Sequence, residues 1–485
     1  MQTPAKDRLR FAAASAAGCV AAVDDVFDRR ALSLRLLINC GVFMSAPAGV
    51  PVPQVPALRV LPRAEHPISR KDLSPNALKI LYRLIDAGYE AYLVGGCVRD
   101  ILLGETPKDF DVATNARPEE IRSLFRNARL IGRRFRLAHV RIGGEVIEVS
   151  TFRSRNAGAA DSGGESQETD GLVLGPSGVI VEDNVYGSID DDALRRDFTI
   201  NALYYTPKDF SLHDYMGGLE DIERRLLRTI GEPAVRYRED PVRMLRAVRL
   251  AAKLRLEIET YSREPIARLG KLLHEVPAAR LFDELTKLFL SGTASAVWDL
   301  LGDTGLLEHL LPDTFASLDY DSSHFVELAM GNTDARIEEG KPVNAGFLFA
   351  VLLWPPLRKR IARDPSPDNV AYQAQMLVAR QNLITSIPAR FGSFAREVWE
   401  LQPRLERVNP RRATGLLTHP RFRAGYDFLV VRTQAGEIAE DRAQFWTDLQ
   451  EAEGITDEIG ATQDSASPDA PRTRRRRKRR TGPGE

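Results

Sequence analysis

Behind Ser74 and Pro75, apolar residues recur at Leu78, Leu81, Leu84 and Ile85. A capping hydroxyl, a first-turn proline and that spacing predict an amphipathic helix. Residues 91–94 are an apolar run ahead of Gly95 and Gly96, read as a strand. Residues 97–103 read as a helix stopped by Gly104, 110–113 as a strand and 118–125 as a helix. Two alternating runs, 137–142 and 146–151, flank Gly143 and Gly144 and predict a hairpin. From Asp240 onward the pattern is helical, as in Val242, Leu245, Val248 and Ala252. The fold class expected is therefore α+β, a head with a mixed β-sheet and helices followed by an all-α body.

Three stretches lack either period. Residues 45–63, rich in Pro, Ala and Val, read as an extended linker, with folded structure expected from Ile68. Residues 154–188 are Gly, Ser and acid rich and read as a long mobile loop around a small apolar island at Leu172–Leu174. Beyond about residue 461, Ser, Pro and Asp give way to Arg, a composition that cannot bury enough apolar surface to fold alone. The expected domains are a disordered extension (1–67), a head (68–235), a helical neck (236–315), a helical body (316–460) and a disordered tail (461–485). No tandem repeat is visible.

Composition sharpens this picture in two places. Basic and acidic residues both total 67, yet eight of the basic ones lie between Arg472 and Arg480. The remaining chain, with 59 basic and 67 acidic residues, carries a net charge of −8, so a mildly acidic body carries a strongly basic tail. Such a run gives sequence-blind affinity for phosphates, although it can also be merely solvated. The scattered Cys19, Cys40 and Cys97 have no metal-ligand spacing and suit a reducing compartment, the cytoplasm. The apolar stretch 11–22 is too short to span a bilayer, and Asp24 and Asp25 follow it without a clean cleavage site. It reads as part of an extension, or as upstream of a true start at Met44, and no stable membrane insertion is expected.

The chemistry-bearing residues begin with Asp109 and Asp111 around Phe110. On a strand, a period of two would put both carboxylates on one face, where they could hold Mg²⁺ for nucleotidyl transfer. Taken alone, such a pair is more readily a solvated strand end. Upstream, Gly95 and Gly96 stand between a strand and a helix, where backbone amides can approach phosphate, and Arg99 lies one turn further on. Together these pieces describe a triphosphate cradle beside a metal site.

Gly95-Gly96, Arg99-Asp100 and Asp109-Phe110-Asp111 resemble the nucleotidyltransferase signature of the polymerase-β superfamily, in the branch of bacterial poly(A) polymerases and CCA-adding enzymes. The blocks 195–203 (RRDFTINAL) and 239–247 (EDPVRMLRA) agree in order and spacing. Cys97 stands where the family often has a third glycine. The resemblance implies Asp197 as a third catalytic acid, Arg196 near the nucleotide and Asn201 near the sugar. An ion pair that orients a helix remains an equal reading of Asp197. Glu148 interrupts an apolar strand where a third metal ligand often sits, or is a charge facing water. Asp240 and Arg243, with Arg246 a turn later, are implied to read the incoming base, or form a helix cap and an i to i+3 salt bridge.

The segment 130–140, LIGRRFRLAHV, looks characteristic of the poly(A) polymerases and atypical of CCA-adding enzymes, and the Arg-rich tail points the same way. His139 within it reads as a half-buried strand residue without a catalytic role. The resemblance implies ATP and RNA 3′ ends as substrates, the neck (236–315) as the nucleotide-recognition and RNA-binding region, and RNA-decay proteins as candidate partners. A tRNA CCA-adding activity is the alternative. A non-catalytic RNA-binding module is a third reading, disfavoured by the acids it would retain without need.

Overall fold

The computed structural model describes residues 56–132, 136–154, 172–174, 180–183, 185–408 and 410–454. Most of the two expected extensions, including the basic run, and residues 133–135 lie outside them. Two compact units meet in sequence between Phe315 and Ala316. No helix among the described residues is long and apolar enough to cross a membrane.

The first unit is built on one mixed sheet. Its strands are β1 (Arg59–Leu61), β2 (Ala91–Val94), β3 (Asp111–Thr114), β4 (Ala128–Ile131), β5 (Leu137–Ile142), β6 (Glu145–Thr151), β9 (Leu203–Thr206) and β10 (Ser211–Asp214), in the spatial order β1-β10-β9-β2-β3-β6-β5-β4. Only β3 and β6 pair in parallel. The β5–β6 hairpin turns through Gly143 and Gly144 at φ +58° and +89°, the left-handed pair that a two-residue turn requires.

Helix α1 (Pro75–Asp86) packs on β2 and β3 and buries Leu78, Ile80, Leu81 and Leu84. Ser74 caps it as expected, its hydroxyl accepting from the Asn76 and Ala77 amides, an arrangement that stabilises a helix by about 1 kcal/mol. Helix α2 (Gly96–Leu102) follows β2, and α3 (Pro118–Leu124) follows β3.

Two expectations for the head are corrected. The stretch taken as linker through residue 63 contributes β1, which pairs with β10 and buries Leu61, while buried His66 contacts the Phe210 carbonyl through Nε2 at 2.9 Å. Its alternation is too short to register as a pattern. Within the segment read as a loop, Leu172–Leu174 is a strand (β7) pairing antiparallel with β8 (Ile180–Asp183).

After the sheet come α4 (Ile189–Arg195), which precedes β9, and then α5 (Gly218–Glu223), α6 (Pro233–Glu239), α7 (Val242–Leu254), α8 (Thr260–Leu269) and α9 (Ala278–Phe289). Two short parallel strands, β11 (Leu226–Leu227) and β12 (Glu257–Ile258), clamp the ends of α5 and α7 together. The second unit is helical throughout its described residues, as the periodicity predicts. Its core is aromatic: Trp354, Trp399, Phe349 and Phe428 are buried, and the Trp399 indole donates to the Ala350 carbonyl at 3.0 Å. Glu437 is tied to Arg358, Arg432 and the Trp354 indole, so this buried carboxylate is fully compensated.

Candidate active site

The chain leaves β2 through Gly95, whose φ of +76° few residues but glycine adopt without strain. A Cβ on Gly95 would stand 3.4 Å from Arg196 Nη1, and one on Gly96 would stand 3.5 Å from Arg99 Nη2. The bare glycine turn is thus flanked by two guanidinium groups. Cys97 behind it is buried, its thiol pushed up to about 12 by burial, so it serves as packing and not as a nucleophile.

Phe110 turns into the core, while Asp109 and Asp111 both line one cavity of about 600 Å³ together with Gly96 and Arg99. Strand β3 begins only at Asp111, so Asp109 shares the cavity from the preceding loop and not by strand alternation. In the parallel β3–β6 register Glu148 lies opposite Asp111, and it also meets His139 on β5 at 3.1 Å. Burial raises the Asp111 carboxyl to about 6, with Glu148 and Asp109 adding repulsion that Arg196 partly offsets.

Among the described residues, no three His, Cys, Asp or Glu side chains are grouped to hold a metal by themselves. Two carboxylates completed by substrate oxygens are nevertheless a donor set that suits Mg²⁺, and the mutual repulsion at Asp111 is what a cation would relieve. The residues present fit a divalent ion.

A chain of hydrogen bonds runs away from the glycine turn. Arg99 grips Asp100 at 2.6 and 2.9 Å and donates to Asn201 Oδ1 at 2.6 Å, and Asn201 Nδ2 donates to Asp197 Oδ1 at 2.9 Å. Asp197 also accepts from the Phe198 amide and, on its other oxygen, from the Arg246 guanidinium, with Nε at 2.9 Å. Burial would raise the Asp197 carboxyl, but Arg246 and Asn201 prevail and hold it well below the usual carboxylate range. Both its oxygens are thus engaged, and neither Asp109 nor Asp111 is among its hydrogen-bond partners. Burial likewise opposes the charge of Arg196, yet Tyr204 and Asp192 keep it firmly protonated, Asp192 at 2.9 Å.

Asp240 caps α7 without joining it, accepting from the Val242 amide on Oδ1 at 3.3 Å. It is extended between α6 and α7, because the residue before a proline, here Pro241, avoids helical geometry. Nor does it pair with Arg243, which donates to Glu239 at 2.9 Å and to the Arg236 carbonyl at 2.7 Å. Arg280 on α9 instead holds Asp240 with both prongs, at 2.8 and 2.9 Å. Nothing in the sequence near Asp240 signals Arg280, forty residues on. Asp192 and Tyr204, the partners of Arg196, were equally illegible.

The family model described as "Poly A polymerase head domain" matches residues 91–228. Models described as "Probable RNA and SrmB- binding site of polymerase A" and "Polymerase A arginine-rich C-terminus" match 255–318 and 365–481. Poly(A) polymerase I of Salmonella typhi is 44% identical over 440 residues, covering 88% of this chain and 93% of its own. The CC-adding tRNA nucleotidyltransferase of Halalkalibacterium halodurans is 37% identical over 235 residues, 48% of this chain and 54% of its own. A solved structure described as "Thermotoga maritima CCA-adding enzyme complexed with tRNA_CCA" aligns with a TM-score of 0.55 at 19% identity, over 82% of this chain and 85% of that one, which shows the shared fold alone. The sequence likeness to the tRNA nucleotidyltransferase thus spans about half of the chain, whereas that to poly(A) polymerase I runs almost throughout, and the chain belongs to the bacterial poly(A) polymerase family.

Proposed function

We propose that this poly(A) polymerase, a nucleotidyltransferase, adds AMP from ATP to RNA 3′ ends without a template in the cavity lined by Asp109 and Asp111. The observation that carries this site is the glycine turn at Gly95 and Gly96, flanked by Arg99 and Arg196 and opening on the two carboxylates. The turn's backbone amides and the two guanidinium groups bind and orient the triphosphate. Nucleotidyltransferases of this family generally use divalent metal ions, and Asp109 and Asp111, with Glu148 beside them, would hold Mg²⁺. Bound there, Mg²⁺ supplies activation of the attacking 3′ hydroxyl and neutralisation of the leaving pyrophosphate. Asp197 acts as a positioning residue: it locks Arg246 and, through Asn201, sets Arg99 toward the phosphates.

Base choice is assigned to Asp240 and Arg243. A carboxylate accepts from the exocyclic amine of adenine while a guanidinium donates to the adjacent ring nitrogen. Guanine and uracil present the reverse pattern and would leave buried groups unpaired. The two-pronged grip of Arg280 fixes the direction in which the Asp240 carboxylate points. The RNA-binding role of the neck and the basic tail belongs to the same reading.

The test offers an unmodified RNA each nucleoside triphosphate singly, with wild-type chain and Asp240→Ala. Long tails with ATP alone are expected of the wild type, and a flattened ranking of the four nucleotides of the variant. An unchanged ranking in the variant would remove Asp240 from base recognition.

A further inference from the structure

Besides the two catalytic carboxylates, the cavity has a second wall that the triphosphate reading does not use. Arg225, Lys253 and Arg255 line it, all three exposed. Arg225 follows α5 and Arg255 caps α7, each one or two residues before the paired strands β11 and β12. The parallel ladder, including a Glu257 amide bond to the Arg225 carbonyl at 2.9 Å, fixes the two arginines at the same end.

Both are in the left-handed region, Arg225 at φ +58° and Arg255 at φ +54°. For an L-residue this costs about 1–2 kcal/mol, and glycine is free of it. Among the described residues the only other non-glycine there is Phe210, which does not line the cavity. Neither arginine forms an ion pair with a carboxylate among the described residues, and Lys253 reaches Asp100 only at 3.8 Å. Two strained, exposed cations without carboxylate partners on one cavity wall favour an anionic occupant there.

We propose that Arg225 and Arg255, supported by Lys253, form the site that binds the backbone phosphates of the RNA strand next to its 3′ end. This rests on the assignment of Asp109 and Asp111 as the reaction centre. The ATP phosphates already have the glycine turn with Arg99 and Arg196, whereas the acceptor strand must also reach the carboxylates. A flexible, exposed guanidinium pair suits a phosphodiester backbone better than a triphosphate that must be fixed for in-line attack.

The deciding variant is the double substitution Arg225→Gly, Arg255→Gly in the full chain. Glycine relieves the backbone at both positions, so the variant should unfold at the same temperature as the wild type or higher, and a loss of RNA binding cannot be ascribed to misfolding. The expected result is an RNA KM raised on the order of tenfold and a salt dependence of RNA affinity flatter by ~0.7 for each phosphate left without its arginine. Turnover at saturating RNA and the ATP KM should be preserved. Arg225→Lys, Arg255→Lys should recover part of the RNA affinity. An unchanged RNA KM and salt slope would overturn the proposal, and so would a rise in the ATP KM alone, which would assign the wall to the triphosphate. Failure of the reaction-centre reading is told apart by Asp109→Ala, whose turnover would then survive.

Discussion

At the scale of single residues, Asp111 shows how a site can cost stability. Burial and the facing Glu148 raise its carboxyl to about 6 from an ordinary value of 3.8. Well below the ordinary value of 3.8 it is protonated whether the chain is folded or not, and the shift has no effect. As pH rises the unfolded chain ionises first, so the folded state loses stability until about pH 6, and the penalty stays constant above that. Asp111→Asn should therefore raise the unfolding free energy of the metal-free protein by about 2 kcal/mol at pH 7.5 and by less at pH 5, measured by urea titration in chelator. If the proposed metal-holding role of Asp111 is right, the same variant should lose turnover at least about a hundredfold, as removal of several kcal/mol of charge stabilisation requires. No gain in stability at pH 7.5 would contradict the burial of the Asp111 carboxylate and the repulsion added by Glu148. The two carboxylates were legible as acids flanking Phe110, although the strand alternation that suggested a shared face begins only at Asp111. The facing Glu148, which adds to the effect of burial on Asp111, comes from register between strands 37 residues apart, which no local pattern records.

At the scale of elements, Asn201 joins α2 to the Asp197–Arg246 pair and so to α7, with its amide used at both ends. Removing it leaves the buried Arg99 guanidinium and one Asp197 oxygen short of partners. Asn201→Ala should accordingly cost about 1–3 kcal/mol in urea unfolding with an unchanged m-value. The ATP KM should rise as Arg99 loses its aim, and an unaltered KM would confine Asn201 to a structural role. The elements themselves divide by how they advertise their burial. Helix α1, with its cap and apolar stripe, and the β5–β6 hairpin, with its glycine pair, were readable because one face of each is polar. Strand β9 is buried along its whole length and β1 is three residues long, so neither has the alternation that would announce it. The block at 239–247 opens a helix with an acidic cap, as its residues suggest, but the extended step at Asp240 ahead of Pro241 separates α6 from α7.

At the scale of the whole molecule, charge is segregated: the eight basic residues between Arg472 and Arg480 face a remainder of net charge −8. If they tether RNA without placing its 3′ hydroxyl, deleting residues 471–485 should raise the RNA KM and flatten the salt dependence of binding, with turnover at saturating RNA retained. Equal salt slopes for the two proteins would leave the tail without an RNA-binding role. The order of the sheet carries a different consequence. Strands β2 to β6 are made in succession, but β2 acquires its other neighbour only when β9 is made. Strand β1, made first of all, must wait for β10, 155 positions later by the pairing of Arg59 with Asp214. At translation speeds of ~5–20 residues per second that wait lasts on the order of ten seconds or more. Between its own synthesis and that of β9, the flank of β2 that β9 covers is an open edge able to recruit another strand. Chains released from a broken message before residue 203 therefore carry both carboxylates on a sheet that still lacks β9 and β10, with β2 as its exposed edge.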